Sequence, residues 1–133
     1  MTRLRVDAAV GDVLDRITIL RIKLDRVAGD VARDNVAREL DGLLAAWAAA
    51  RLPAPEQVPE YGALADANLA LWEVEDALRA HEARGEFDGA FVARARSVYL
   101  TNDRRAALKR AVNQRYGSAI REEKVHPRYG DPR

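Results

Sequence analysis

The sequence contains no cysteine, which excludes disulfide bonds, thiol catalysis and cysteine-ligated zinc or iron–sulfur sites. Aromatic residues are only 6% of its 133 residues, and the formal net charge of +1 lacks the basic excess typical of nucleic-acid-binding domains. The most apolar stretch, residues 43–50, is far too short to span a membrane, and the first residues do not form the apolar run of a signal peptide. We therefore expect a cytoplasmic protein that binds neither nucleic acid nor a membrane.

Hydrophobic residues at 48% and charged residues at 32% are typical of one globular domain, and much of the apolar content is alanine, the best helix former. Apolar residues of the first segment recur at alternating steps of four and three, which predicts a helix that buries one stripe against a partner. These residues are Val6, Val10, Val13, Ile17, Leu20, Leu24 and Val27.

The second helix follows the interruption at Gly29, with Asp30 as its predicted N-cap. It ends near Arg51, because Pro53 and Pro55 each disfavour helical backbone in the residue before them. Its apolar stripe has the same spacing as the first and consists of Val36, Leu40, Leu43 and Trp47. The segment from there to residue 59 is predicted to be a loop.

A third helix is predicted over residues 60–84, with Gly85 directly after its end. Asp88 is the predicted N-cap of the next helix, and Gly117 is the residue expected to stop the last one. Residues 101–103, Thr-Asn-Asp, would either begin a fifth helix or lie inside one long fourth helix. The sequence therefore predicts an all-α fold, a compact antiparallel bundle of four to five helices. Residues 1–117 would form this single domain, and residues 118–133 a loosely held tail.

Polar and aromatic residues share faces on the third helix and the last long helix. On the third these are Asn68, Trp72, Glu75, Arg79 and Glu82, with Asp76 beside them; on the last they are Tyr99, Asn102, Lys109 and Asn113, with Arg96 and Asp103 beside them. One interpretation is that the two faces form a charged cleft that binds an anionic or hydroxylated ligand. Glu75 or Glu82 would then be a candidate general base, and Lys109 and Arg79 would stabilise negative charge. The alternative is structural, because charge-laced helix faces are common and are usually solvated.

The spacing of potential metal ligands predicts neither a metal site nor a cofactor. His81 and His126 are the only histidines and lack a helical ligand partner, so His81 is interpreted as a residue at the edge of the core. A magnesium site at Glu73, Glu75 and Asp76 would need a second acidic pair on a neighbouring helix, for which Glu39 and Asp41 are the available residues.

The segment from Ala95 to Asn113, ARSVYLTNDRRAALKRAVN, resembles the signature of an uncharacterised bacterial all-α family with no assigned activity. Residues 11–20, GDVLDRITIL, and residues 68–79, around LWEVED, resemble that family's opening and central helices. The resemblance covers most of the chain. Its signature includes Arg96, Tyr99, Asn102, Asp103 and Lys109, which strengthens the interpretation of this face as functional without supplying a role.

The leading hypothesis is a non-catalytic helical binding or interaction module, which holds a partner protein or a small polar ligand, the latter between its third and last long helices. One alternative is a small enzyme acting on a phosphorylated or carboxylated metabolite, with a carboxylate base and a Lys/Arg clamp. Another is a structural dimer or a subunit of a larger assembly. The sequence decides neither whether a reaction is catalysed nor whether the chain is a monomer or a homodimer.

Overall fold

The computed structural model describes residues 1–127, which form four α-helices. They are α1 (Val10–Arg26), α2 (Asp30–Ala49), α3 (Tyr61–Arg84) and α4 (Gly89–Arg115). The chain between α2 and α3 contains one short 3-10 turn, Pro55–Gln57. The predicted all-α bundle is confirmed, and residues 101–103 continue α4 without a break.

Helix α1 lies at the centre of the bundle and packs against each of the other three helices. It runs antiparallel to α2, to which it is joined by three residues, and antiparallel to α4 on its other side. The apolar core is built around α1 and includes Leu14, Ile17, Leu64 and Val112, all fully buried. Because α1 packs along α4, polar residues of α1 contact polar residues of α4.

Helix α1 begins four residues later than the apolar stripe suggests. Val6 lies outside the helix and is 85% exposed, whereas Ala9 is fully buried at the N-cap position. Ala9 has no side-chain group that could cap the helix. Its first amides are instead bonded by distant residues, since Val10 N donates to Ser118 Oγ and Gly11 N to Asn113 Oδ1. The helix therefore begins where α4 and the segment after it supply acceptors.

Two further local predictions had different outcomes. Asp30 is not an N-cap: Gly29 occupies that position with a positive φ of 91°, and Asp30 is the first helical residue. Trp47, predicted on the apolar stripe of the second helix, belongs to this chain's core. Its indole N–H donates to the Pro53 carbonyl at 2.7 Å, and its ring packs edge-on against Tyr116.

Helices α3 and α4 form a long antiparallel hairpin whose turn is fixed by local signals. Gly85 ends α3 with a left-handed φ of 64°, a conformation that glycine adopts without steric cost. Asp88 starts α4 by accepting a hydrogen bond from Phe91 N at 3.1 Å. Both residues were predicted in these roles. The hairpin is longer than α1, so its far half extends beyond the core.

Candidate functional site

The polar side chains of α1 reach α4 because the two helices touch at Gly11. The Gly11 amide donates to Asn113 Oδ1 at 2.7 Å, and a Cβ atom at this position would lie 2.4 Å from the Lys109 carbonyl oxygen. Only glycine fits such a contact between backbones. The next turn of α1 therefore presents Asp12 and Asp15 directly to the middle of α4.

Asp15 is the centre of a buried ionic network. Its side chain is 3% exposed, and its two oxygens accept hydrogen bonds from Arg105 Nε at 2.8 Å and Nη2 at 2.5 Å. Asn68 Nδ2 also lies within hydrogen-bond distance, at 2.8 Å from both Asp15 Oδ1 and Thr18 Oγ1. The bonds with Asp15 raise the pKa of the Arg105 guanidinium further, against the opposing effect of burial. The arrangement satisfies a buried carboxylate with a bidentate arginine, which is the strongest pairing available to it.

Lys109 lies one turn further along α4, between two carboxylates. Its Nζ is 2.9 Å from Asp12 Oδ1 and 2.8 Å from Glu122 Oε2. Burial lowers the pKa of the Lys109 ammonium, but its hydrogen bonds to Asp12 and Glu122 and the charge of Asp15 outweigh that effect and raise the pKa above its usual value. Lys109 therefore carries a positive charge at neutral pH.

The segment after α4 folds back along this surface. Ser118 is buried, and its hydroxyl accepts from Val10 N at 3.1 Å and donates to the Ile120 carbonyl at 2.6 Å. Further on, Lys124 forms an ion pair with Asp103. These contacts place residues 118–127 beside α4, although the division of the chain into a domain and a tail stays a prediction. Residues 128–133 of that predicted tail lie outside the described part of the chain.

Between α4 and this segment lies a cleft of about 370 Å³, which we call the α4 cleft. Its polar lining consists of Asn102, Arg105, Lys109, Glu122, Glu123, Lys124 and His126. A second hollow, of about 480 Å³, lies on the α1 side and shares Lys109 and Glu122 with the α4 cleft. The Lys109–Glu122 ion pair therefore borders both spaces.

The structure brings together five of the residues singled out in the sequence: Asn68, Asn102, Asp103, Lys109 and Asn113. The first and last of these are buried and hold the α1 contacts described above. Asn102 Oδ1 accepts from Arg105 Nη1 at 3.3 Å and lines the α4 cleft. No residue of α3 lines that cleft.

The other residues singled out lie elsewhere on the hairpin. Trp72 contacts Arg26, whose guanidinium carbon is 5.9 Å from the indole ring. Asp76 and Arg79 form an exposed pair at 3.3 Å within α3. The remaining four side chains are exposed and do not line the α4 cleft: Glu75, Glu82, Arg96 and Tyr99. His81, interpreted as a core-edge residue, is 2% exposed and packs edge-on against Phe91.

Asp12, Asp15, Arg105, Glu122 and Lys124 are site residues that sequence reasoning missed. A signal for Asp15 does exist: Gly11, Asp15 and Thr18 follow helical spacing beside the apolar stripe, and all three are buried. A small or polar row next to a core stripe indicates a close helix contact with polar partners. Glu122 and Lys124 carry no such signal, because they lie in irregular chain.

Neither a metal site nor a membrane-spanning helix is found in the described part of the chain. Residues 1–127 contain no group of three or more His, Asp or Glu side chains placed to hold a metal ion. Within the same residues, every helix is too short or too polar to cross a membrane.

The fold and site define an all-α protein in which a long helical hairpin crosses a central helix through a buried Asp–Arg–Asn network. The model of the family of unknown function DUF6165 matches residues 4–129, and the chain belongs to this family. Neither a curated protein nor a solved structure matches the chain significantly.

Proposed function

We propose that this protein is a non-catalytic binding module that holds a small anionic, hydroxylated ligand in the α4 cleft. The observation that carries the proposal is the convergence of Arg105, Lys109, Lys124 and the amide of Asn102 on one cleft. Cationic side chains bind carboxylate or phosphate groups, and an amide orients hydroxyl groups by hydrogen bonds. The volume of about 370 Å³ lies within the range of small-molecule sites, roughly 300–1,000 Å³.

The cations of the cleft differ in how firmly they are held. Arg105 is bound by the buried Asp15, so its guanidinium is fixed in place. Lys109 is bound partly by Glu122, whose side chain is 53% exposed. Only the Glu122 end of this pair faces solvent, since the Lys109 side chain is 15% exposed and also contacts Asp12. A ligand anion that enters the α4 cleft can therefore replace Glu122 on Lys109 while the Asp12 contact remains. Lys109 is therefore the residue proposed to contact the anion, and the Glu122 carboxylate occupies the position of the anion when no ligand is bound.

The positions of the two carboxylates predicted as general bases do not support catalysis in the α4 cleft. Glu75 and Glu82 lie exposed on α3 and do not line the α4 cleft. A general base must lie within hydrogen-bond reach of the proton that it removes. The proposal is accordingly one of binding.

A ligand panel tests the proposal. The probes are inorganic phosphate, citrate, glucose 1-phosphate and UDP-glucose, with glucose as the uncharged control, all at constant ionic strength. Ligands that bind only the folded state raise the melting temperature, so at least one anionic probe is expected to raise it and glucose is not. Calorimetric titration of that probe then gives its affinity.

Variants connect binding to the cleft. Lys109→Ala is expected to weaken the binding of that probe about tenfold or more, since a charge-assisted hydrogen bond is lost. Lys23→Ala, at an exposed lysine of α1, is the matched control and should bind as the wild type does. Glu122→Gln removes the competing carboxylate and should strengthen binding. The proposal fails if no anion raises the melting temperature, or if the probe binds Lys109→Ala as tightly as the wild type.

A further inference from the structure

The far half of the α3–α4 hairpin, residues 75–101, lacks a core of its own; we call it the distal arm. The apolar core cluster and the residues packed against it contain no member of the arm. Of the arm's residues only His81 is buried. Its hydrogen bonds and ion pairs include Arg94 with His81, Arg84 with Glu86 and Arg79 with Asp76, all within the arm. The arm is thus two helices that pack only along their shared seam.

Apolar side chains on the arm are left facing solvent. Val92 is 50% exposed, Leu100 is 51% exposed, and Phe87 at the turn is 56% exposed. Val92 and Leu100 are eight residues apart and so lie on one broad face of α4. Exposed alanines, Ala80 and Ala83 on α3 and Ala93 on α4, allow another helix to approach closely.

The two helices of the arm carry opposite charge. The α3 half contains Glu75, Asp76 and Glu82 against Arg79 and Arg84, whereas residues 89–101 of α4 contain Arg94 and Arg96 and no acidic residue. The side chains of Glu75, Glu82 and Arg96 have no ion-pair or hydrogen-bond partner within residues 1–127. A surface with an acidic half beside a basic half is complementary to a copy of itself turned by a two-fold rotation.

We propose that the distal arms of two copies of this chain pair around a two-fold axis and form a four-helix bundle, with α3 of each copy against α4 of the other. The pairing covers Val92 and Leu100 and places Glu75 and Glu82 opposite the partner's α4. The arm's face is about 20 Å long and about two helices, or 20 Å, wide. Such a face covers roughly 400 Å² on each copy, about half of the roughly 800 Å² per partner of a standard interface, so the dimer is expected to be weak, with a dissociation constant on the order of 100 μM.

Sedimentation velocity of the full chain over a range of roughly 5–500 μM tests the dimer. The average mass is expected to rise with concentration from that of one chain towards that of two. Leu100→Glu should remain a single chain at all these concentrations, because it buries a charge at the interface. Val31→Glu, a matched change at an exposed valine of α2, should dimerise as the wild type does. Circular dichroism verifies that each variant is folded.

Complementary charge variants test the arrangement of the helices. Glu75→Arg with Glu82→Arg makes α3 basic, and Arg96→Glu makes α4 less basic. Each variant alone should associate at least about tenfold more weakly than the wild type, but a mixture of the two should associate. In the mixed dimer one interface keeps the wild-type charges, and the other places the basic α3 opposite the glutamate introduced on α4. The proposal is overturned if the wild type remains a single chain at the highest concentration, if Leu100→Glu dimerises unchanged, or if the mixture associates no better than its components.

Discussion

At Gly11 a single hydrogen atom in place of a side chain decides how close two helices come. The position has ordinary helical backbone and a negative φ, so the requirement for glycine arises from space alone. The space is taken by the backbone of α4, which cannot turn aside as a flexible side chain can. The distance between α1 and α4 in turn sets the lengths of the Asp15–Arg105 and Asp12–Lys109 contacts.

We expect Gly11→Ala to lower the free energy of unfolding by about 1–3 kcal/mol, the usual cost of forcing a methyl group into packed structure. Gly42→Ala is the matched control, because Gly42 lies inside α2 with no atom near its Cβ position. There the same change should raise stability by about 0.5–1 kcal/mol, since alanine loses less backbone entropy in a helix. Urea denaturation followed by circular dichroism measures both, and equal effects at the two sites would contradict the close contact.

Asp15 shows why the site has a fixed geometry. A buried carboxylate is costly unless its oxygens are fully bonded, and here Arg105 and Asn68 lie within hydrogen-bond distance of them. The residues come from three different helices, so the network holds only when all three are in place. Arg105 is thereby positioned at the wall of the α4 cleft before any ligand arrives.

At the scale of the element, the start of α4 depends on the charge of Asp88. The hydrogen bond from Phe91 N lowers the pKa of the Asp88 carboxyl, and His81, whose Nδ1 is 4.0 Å from Asp88 Oδ1, lowers it further. A carboxyl with a lowered folded-state pKa stabilises the fold above its unfolded pKa, about 3.9, and loses this contribution as pH falls through the folded value.

We therefore expect Asp88→Asn to melt at a lower temperature than the wild type at pH 7, because the amide keeps the cap but not the charge. The difference should shrink as pH falls below about 4, where the carboxyl of the unfolded chain binds a proton, and disappear below the lowered pKa of the folded state. Asp25→Asn, at an exposed residue of α1, is the control and should show little difference at either pH. A difference that stays constant between pH 7 and pH 3 would contradict the role of the charge.

The helices themselves could be predicted from the sequence because their signals are local. Apolar residues at steps of three and four predicted the first two helices, and Gly85 and Asp88 set the turn between α3 and α4. The start of α1 could not be predicted, because Ser118 and Asn113, more than 100 residues away, bond its first amides. The valine at position 6 continues the pattern but meets nothing to pack against.

Site residues could be predicted from the sequence only where a stripe of polar residues on one helix also packs against a neighbouring helix. Lys109 and Asn113 follow the stripe on α4 that the sequence shows, and both prove to face α1. The partners of that stripe are not on the charged face of α3, because a helix face gives no information about which neighbour it meets. Asp15 and Arg105 are 90 residues apart, and their pairing depends on the close packing of α1 against α4 at Gly11.

At the scale of the whole molecule, the chain divides into a packed body and the distal arm. The body contains α1, α2 and the near halves of α3 and α4, and it holds the apolar core and the ionic network. The α4 cleft lies on the body, whereas Val92 and Leu100 lie on the arm. The proposed ligand site and the proposed dimer surface therefore occupy different parts of the molecule, and each is testable without the other.

This division predicts how stability is distributed. Local opening costs less where few apolar contacts are buried, so amides of the arm should exchange with deuterium faster than core amides around Ile17 and Val112. Hydrogen exchange with mass spectrometry measures this in dilute Leu100→Glu, where the arm has no partner. In the wild type the arm's protection should rise with protein concentration while that of the core stays constant, because pairing adds contacts to the arm alone. If the arm's amides were as protected from exchange as those of the core in the single chain, the contacts between α3 and α4 would by themselves be enough to stabilise the arm. The physical reason for pairing with a second copy would then be removed.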